Sequence, residues 1–195
     1  MISSSENIIY IQQVGKIDKS IATNLKEDLS PILKKFNLSI EIIPDLIAVK
    51  GAEFNESRRQ FNASEILKKV TGRAKNKKYY RILGIIDEDI YVKGLNFVFG
   101  VATLSRSHKK IASAVISVTR LKESFYNRSK NPRLFRLRIL KEALHELGHT
   151  FGLSHCENKC IMYFSNHLGD TDYKPAEFCG SCAKSLRYYL KNNLV

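Results

Sequence analysis

Residues 143–156 read Ala143-Leu144-His145-Glu146-Leu147-Gly148-His149-Thr150-Phe151-Gly152-Leu153-Ser154-His155-Cys156. On an α-helix His145 and His149, four apart, share a face with Cβ atoms about 5–6 Å apart. Two imidazoles so placed can converge on one zinc at a Zn–N distance of about 2.0–2.1 Å. Glu146 lies about 100° further round the helix, too oblique to join that ligand set but able to reach a water beside the metal. Gly152 allows the chain to leave the helix through a left-handed residue, so His155 can return as a third ligand. Three histidines leave a fourth tetrahedral position open, as in catalytic zinc sites and unlike closed structural ones. A lone histidine on a half-buried helix reads as a satisfied core residue. Here three of the chain's five histidines stand in register with a glutamate and a glycine, and the ligand reading is preferred. His108 and His167 lack such a setting and read as surface or loop residues.

Working outward, Asn131 caps the motif helix and Pro132 occupies its first position. Upstream, residues 8–14 read as a strand. Ile17, Ile21, Leu25, Leu29, Ile32, Leu33 and Phe36 recur at helical spacing, with Asp18 as a cap and Pro31 expected to kink or restart the helix behind Ser30. Residues 38–43 read as a second strand closed by Pro44. Asn62 and Glu65 resemble a capping box opening a short helix through Val70. Residues 80–86, 97–104 and 111–118 read as three further strands. A last helix is expected from about Ala183 to Leu190. The order predicts an α/β fold with a mixed sheet. Asp87-Glu88-Asp89 reads as a turn after a strand, since it lacks the spaced oxygen ligands of a calcium loop.

All four cysteines fall between positions 156 and 182. Cys156 and Cys160 form one pair, Cys179 and Cys182 another, at spacings found in zinc knuckles. Two disulfides and a redox CxxC are the alternatives; a metal site is preferred in a reducing compartment. Neighbouring side chains of extended backbone point to opposite sides. One peptide bond, between His155 and Cys156, would then join two metal sites.

The 195 residues suit one domain with a real core. Hydrophobic residues make up 44% and charged residues 26%, a globular composition. No apolar run approaches the ~20 residues that span a bilayer. Residues 1–6 lack the features of a signal peptide. A cytoplasmic protein is therefore expected, without a membrane partner. Lys and Arg number 32 against 19 acids, a formal charge of +13. Such a surplus can attract nucleic acid, but the basic residues are scattered (Arg58-Arg59, Lys68-Lys69, Arg73 to Arg81, Lys109-Lys110, Arg128 to Arg138). A solvated basic surface is the preferred reading.

The run His145-Glu146-x-x-His149-x-x-Gly152-x-x-His155 resembles the metzincin signature. With Cys156, Cys160, Met162, Cys179 and Cys182 added, it is similar to the archaemetzincins in particular. The interval between Cys156 and Cys160, and that from Met162 to Cys179, are each one residue shorter than the family pattern. The resemblance covers residues 145–182. It implies a metzincin-like twisted mixed sheet with an active-site helix in an upper subdomain, residues 1–152. It also implies a small zinc-stabilised lower subdomain, residues 153–195, carrying His155, the Met-turn at Met162 and the four-cysteine site. Two zinc ions per chain follow, one held by His145, His149 and His155 and one by Cys156, Cys160, Cys179 and Cys182. The implied reaction is peptide-bond hydrolysis with Glu146 as general base. Met162 supplies a hydrophobic floor and Tyr163 is a weak candidate to donate to the oxyanion. Metzincins bind extended peptide along an antiparallel edge strand; residues 97–103 are the candidate here, with Gly100 and Ala102 letting a substrate backbone approach. The rival class is a zinc-loaded nucleic-acid or protein-binding module with little or no general protease activity. It has no need for the histidine and glutamate set.

Overall fold

The computed structural model describes residues 7–49, 51–104 and 111–193. The first six residues, His108 and Lys109-Lys110 lie outside the described residues, so the readings placed on them have no structural counterpart. Strand β1 (Ile8–Val14) leads into helix α1 (Lys19–Lys34) and strand β2 (Ser39–Ile47). Two short strands follow, β3 (Phe54–Asn55) and β4 (Gln60–Asn62), then α2 (Ala63–Lys77). The chain continues through β5 (Arg81–Ile86), β6 (Ile90–Tyr91), β7 (Gly100–Ala102) and β8 (Ala112–Ser117). It ends with α3 (Pro132–Thr150), α4 (Leu168–Tyr173) and α5 (Gly180–Asn193). The main sheet has the order β2-β1-β5-β8-β7, parallel except for β7, which pairs antiparallel to β8 at the edge. This is the expected mixed α/β sheet. A second sheet, β3-β4-β6, has no counterpart in the sequence reading, because strands of two or three residues carry no readable period.

Both faces of the sheet are covered, which is why β5 and β8 are buried at every position. Alternate residues serve opposite layers. Ile9, Ile11, Leu83, Ile85, Ala114 and Ile116 join the core beneath α1 and α3, while Val14, Ile82, Ile86 and Val115 pack under α2. Asp18 caps α1 by accepting from the Ser20 N–H at 2.9 Å. Pro31 does not restart that helix. Leu25, Leu29 and Leu33 bind it to the sheet across the proline, and Ser30 Oγ donates to Lys26 O at 2.6 Å instead of capping a new helix. β2 likewise runs through Pro44, because β2 is an edge strand and a bulge there moves the register from Gln12↔Ile43 to Val14↔Ile47. The second helix passes Val70 and ends at Lys77, and α5 begins at Gly180.

Helix α3 carries the motif. Asn131 caps it, with Oδ1 accepting from the Leu134 N–H at 3.0 Å, and Pro132 opens it. Gly152, at φ 80°, turns the chain out. Polar links join α3 to α4. Arg138 makes paired bonds to Asp172 (2.7 and 2.6 Å), and Lys141 Nζ donates to the Thr171 and Asp172 carbonyls (3.0 and 2.8 Å). Two acids of the run after β5 are paired in place, Asp87 with Lys122 and Asp89 with Arg120.

Candidate active site

His145 and His149 project from one face of α3, and their Nε2 atoms stand 3.1 Å apart. His155 returns after the Gly152 turn and brings a third ring nitrogen, all three lying within 4.8 Å of one another. Tetrahedral zinc with Zn–N of about 2.0–2.1 Å separates its nitrogens by about 3.4 Å, so the set fits a zinc ion. The far ring nitrogens are already used. His145 Nδ1 lies 2.9 Å from Ile161 O, and His149 Nδ1 lies 2.7 Å from Leu153 O. Carbonyls only accept, so each Nδ1 carries the proton and each Nε2 presents a lone pair to the metal side. Burial, helped by the Lys174 charge, pushes the His145 imidazole down to about 2, and burial also lowers His149 and His155. All three are kept neutral, the form that ligates metal.

Glu146 faces a cleft of about 540 Å³ that also exposes His145, His149 and His155. Strand β7 borders it. Phe99 O accepts from Ser117 N–H and Thr103 N–H donates to Ser113 O, both toward β8. Antiparallel alternation therefore turns the backbone groups of Gly100 and Ala102 to the open edge. The missing side chain of Gly100 has another explanation than the one read from sequence. A Cβ there would lie 2.6 Å from Glu146 Cγ and 2.7 Å from Oε1. The space belongs to Glu146, not to an approaching backbone. Below the histidines, Met162 is fully buried, and a Cβ on Gly148 would come 2.4 Å from its sulfur. Met162 thus packs directly against the helix that carries His145 and His149. Tyr163 does not line this cleft and meets Tyr173 at 6.3 Å, whereas Phe164 lines the cleft and tilts over His155 at 4.7 Å.

The four cysteines are free thiols whose sulfurs lie within 4.8 Å of one another. Cys156 and Cys179 stand 3.8 Å apart, the separation of two thiolates on one tetrahedral zinc at Zn–S of about 2.3 Å. The Met162 and Cys179 N–H groups donate to Cys160 Sγ at 3.4 and 3.3 Å. Such donors favour thiolate. The Ser181 hydroxyl and the Cys182 N–H pull Cys179 down to about 6, while burial raises Cys160 and Cys182. A divalent ion is the ready compensation for four sulfurs so crowded.

Sequence reading missed the charged pair beside the histidines, Glu142 and Lys174, which line the same cleft. Lys174 is buried, with Nζ 2.9 Å from Glu142 Oε1 in an ion pair lacking hydrogen-bond alignment, and Thr171 Oγ1 donates to the same oxygen at 2.9 Å. Glu142 falls one helical turn before His145 and Glu146, a spacing that was legible. Its partner Lys174 is remote in sequence and was not.

Known proteins align with this arrangement. The model of peptidase family M54 matches residues 7–188. The archaemetzincin of Pyrococcus furiosus is 34% identical, over 97% of each chain, and that of Archaeoglobus fulgidus 40% identical, over 92% of this chain and 99% of the relative. Among solved structures, the Archaeoglobus fulgidus archaemetzincin complexed with malonate superposes with a TM-score of 0.75 at 38% identity, covering 91% of this chain and 99% of the other. A zinc-dependent peptidase from Methanocorpusculum labreanum gives 0.78 at 29% identity, covering 91% and 99%. The chain belongs to peptidase family M54 and is a zinc metallopeptidase of the archaemetzincin type.

Proposed function

We propose that peptide bonds are hydrolysed at the centre formed by His145, His149 and His155, with Glu146 as general base. The observation that carries this is the convergence of three imidazole ring nitrogens beside a buried carboxyl group at the open edge of β7. His145, His149 and His155 would hold a zinc ion, which when bound would supply Lewis acidity to a water and to the scissile carbonyl. Glu146 takes the proton from the attacking water and passes it to the leaving amine. Gly100 and Ala102 offer backbone donors and acceptors to an extended peptide, which would lie antiparallel along the edge. Met162 holds the floor.

A second zinc is assigned to Cys156, Cys160, Cys179 and Cys182, giving two ions per chain. Residues 1–152 then act as an upper subdomain and residues 153–195 as a lower one, hinged at Gly152 and tied at His155-Cys156. Among the described residues no helix is long and apolar enough to cross a membrane, and free thiols suit a reducing, cytoplasmic setting. Nucleic-acid binding is the less favoured reading. Lys122, Arg120, Arg136 and Arg138 are all engaged with carboxylates, which reduces the charge presented to phosphate.

The test is cleavage of a peptide library by the wild type and by Glu146→Ala. A loss of about 10²–10⁴-fold is expected. Equal cleavage by both proteins would remove Glu146 from the mechanism.

A further inference from the structure

The upper lip of the cleft is a loop, residues 92–99, running from β6 to β7. Val92, Leu95, Asn96, Phe97, Val98 and Phe99 all line the cleft. Its own backbone supplies little support: Leu95 N–H donates to Val92 O at 3.1 Å, and Val98 N–H to Ile90 O at 3.0 Å. Phe99 anchors the far end in the main core, its O accepting from the Ser117 N–H at 2.8 Å, and the middle of the loop is held from the small sheet outside. Arg58 Nη2 donates to both Leu95 O and Asn96 O at 2.8 Å. Its Nε donates to Gln60 Oε1 at 2.9 Å, and its guanidinium lies over the Tyr91 ring at 4.4 Å. Gln60 Nε2 donates to Asn96 O and to Asp89 Oδ2, both at 3.0 Å. Asp89 in turn takes two bonds from Arg120 at 2.6 and 2.7 Å, and Arg120 lies over the Phe97 ring at 4.2 Å. One continuous set of contacts therefore holds the lip at its backbone and at Phe97. Neither Arg58 nor Gln60 lines the cleft.

We propose that Arg58 and Gln60 are positioning residues that hold the lip in its substrate-ready form, so that it does not have to be ordered when peptide binds. This rests on the peptidase reading. Ordering a loop on binding weakens affinity by the conformational entropy lost, and charge-assisted bonds to carbonyls are the stronger kind. Arg58 is exposed, so its contribution to global stability is small while its local effect is not. The reacting groups stand on α3 and are untouched.

The experiment compares wild type, Arg58→Met and Arg58→Lys, each zinc-loaded, by steady-state cleavage of one peptide and by amide hydrogen exchange. For Arg58→Met, KM is expected to rise roughly three- to tenfold with kcat within about twofold. Exchange at the Leu95 and Val98 amides should accelerate while α3 stays as protected as before. Lysine keeps the charge but lacks the Nε–H that donates to Gln60 and the planar group that lies over Tyr91, so Arg58→Lys should give a smaller shift of the same kind; it is read alone if the methionine variant does not fold. Unchanged KM and unchanged lip exchange would overturn the proposal, as would a fall in kcat at constant KM. Should the wild type cleave no peptide, the peptidase reading fails, and lip exchange still decides the clamp.

Discussion

At the scale of single residues, Glu146 combines burial with two opposed charges. Burial raises its carboxyl most, Glu142 adds to the rise and Lys174 opposes it, leaving it pushed up to about 8 in the metal-free protein. An unfolded glutamate titrates near ~4.3. The folded state therefore favours the protonated form, and this contribution is complete below the unfolded value and lost as pH rises through about 8. Thermal melts of the metal-free protein between pH 4.5 and 8 should show a falling term, up to about 1.4 kcal/mol per pH unit, that Glu146→Gln abolishes. An identical pH slope in both proteins would contradict the assigned burial. His145 acts in the opposite sense: its lowered pKa contributes stability above the ordinary histidine range, lost as pH falls toward about 2. Beside it, Lys174 and Glu142 form a buried pair. Lys174→Met strands a buried carboxylate and should cost about 3–5 kcal/mol, most of it recovered in Lys174→Met with Glu142→Gln. Denaturant melts of the three proteins check this, and an equally unstable double variant would count against the pair.

At the scale of elements, the close seating of β7 on α3 is the critical contact. Gly100→Ala places a methyl within 2.6–2.8 Å of three Glu146 atoms, so the carboxyl group must move. Because a misplacement of about 1 Å can cost 10²-fold, kcat should fall at least about tenfold with zinc content unchanged; retained kcat would mean that Glu146 has room to spare. The motif helix was readable because its signals are local: Asn131, Pro132 and Gly152 act on neighbouring backbone. β7 was not. An eight-residue strand was expected, yet the strand spans only Gly100–Ala102, with ladder bonds from the flanking Phe99 and Thr103. Phe97 is taken by Arg120 and Phe99 by the core. Apolar pattern reports that a side chain is covered, not what covers it.

At the scale of the whole molecule, the two candidate metal sites are neighbours through one peptide bond, between His155 and Cys156. Metal analysis should return two zincs per chain. Stripping them with chelator should loosen residues 153–193 before the sheet, as exchange would show. Cys182→Ser should also weaken metal binding at the histidines, since the loop presenting His155 loses its anchor; unchanged affinity there would sink the linkage. The sequence by itself determined the helix, its stop, the ligand candidates and the α/β class, because capping, periodicity and ligand spacing act over a few residues. Only tertiary structure decided that Gly100 makes room for Glu146, that Lys174 pairs with Glu142 beside the histidines, and that a small outer sheet grips the lip at Leu95 and Asn96. Those contacts join segments from 32 to 46 residues apart (Lys174–Glu142 at 32, Gly100–Glu146 at 46), and no local preference records which distant side chain fills a given space.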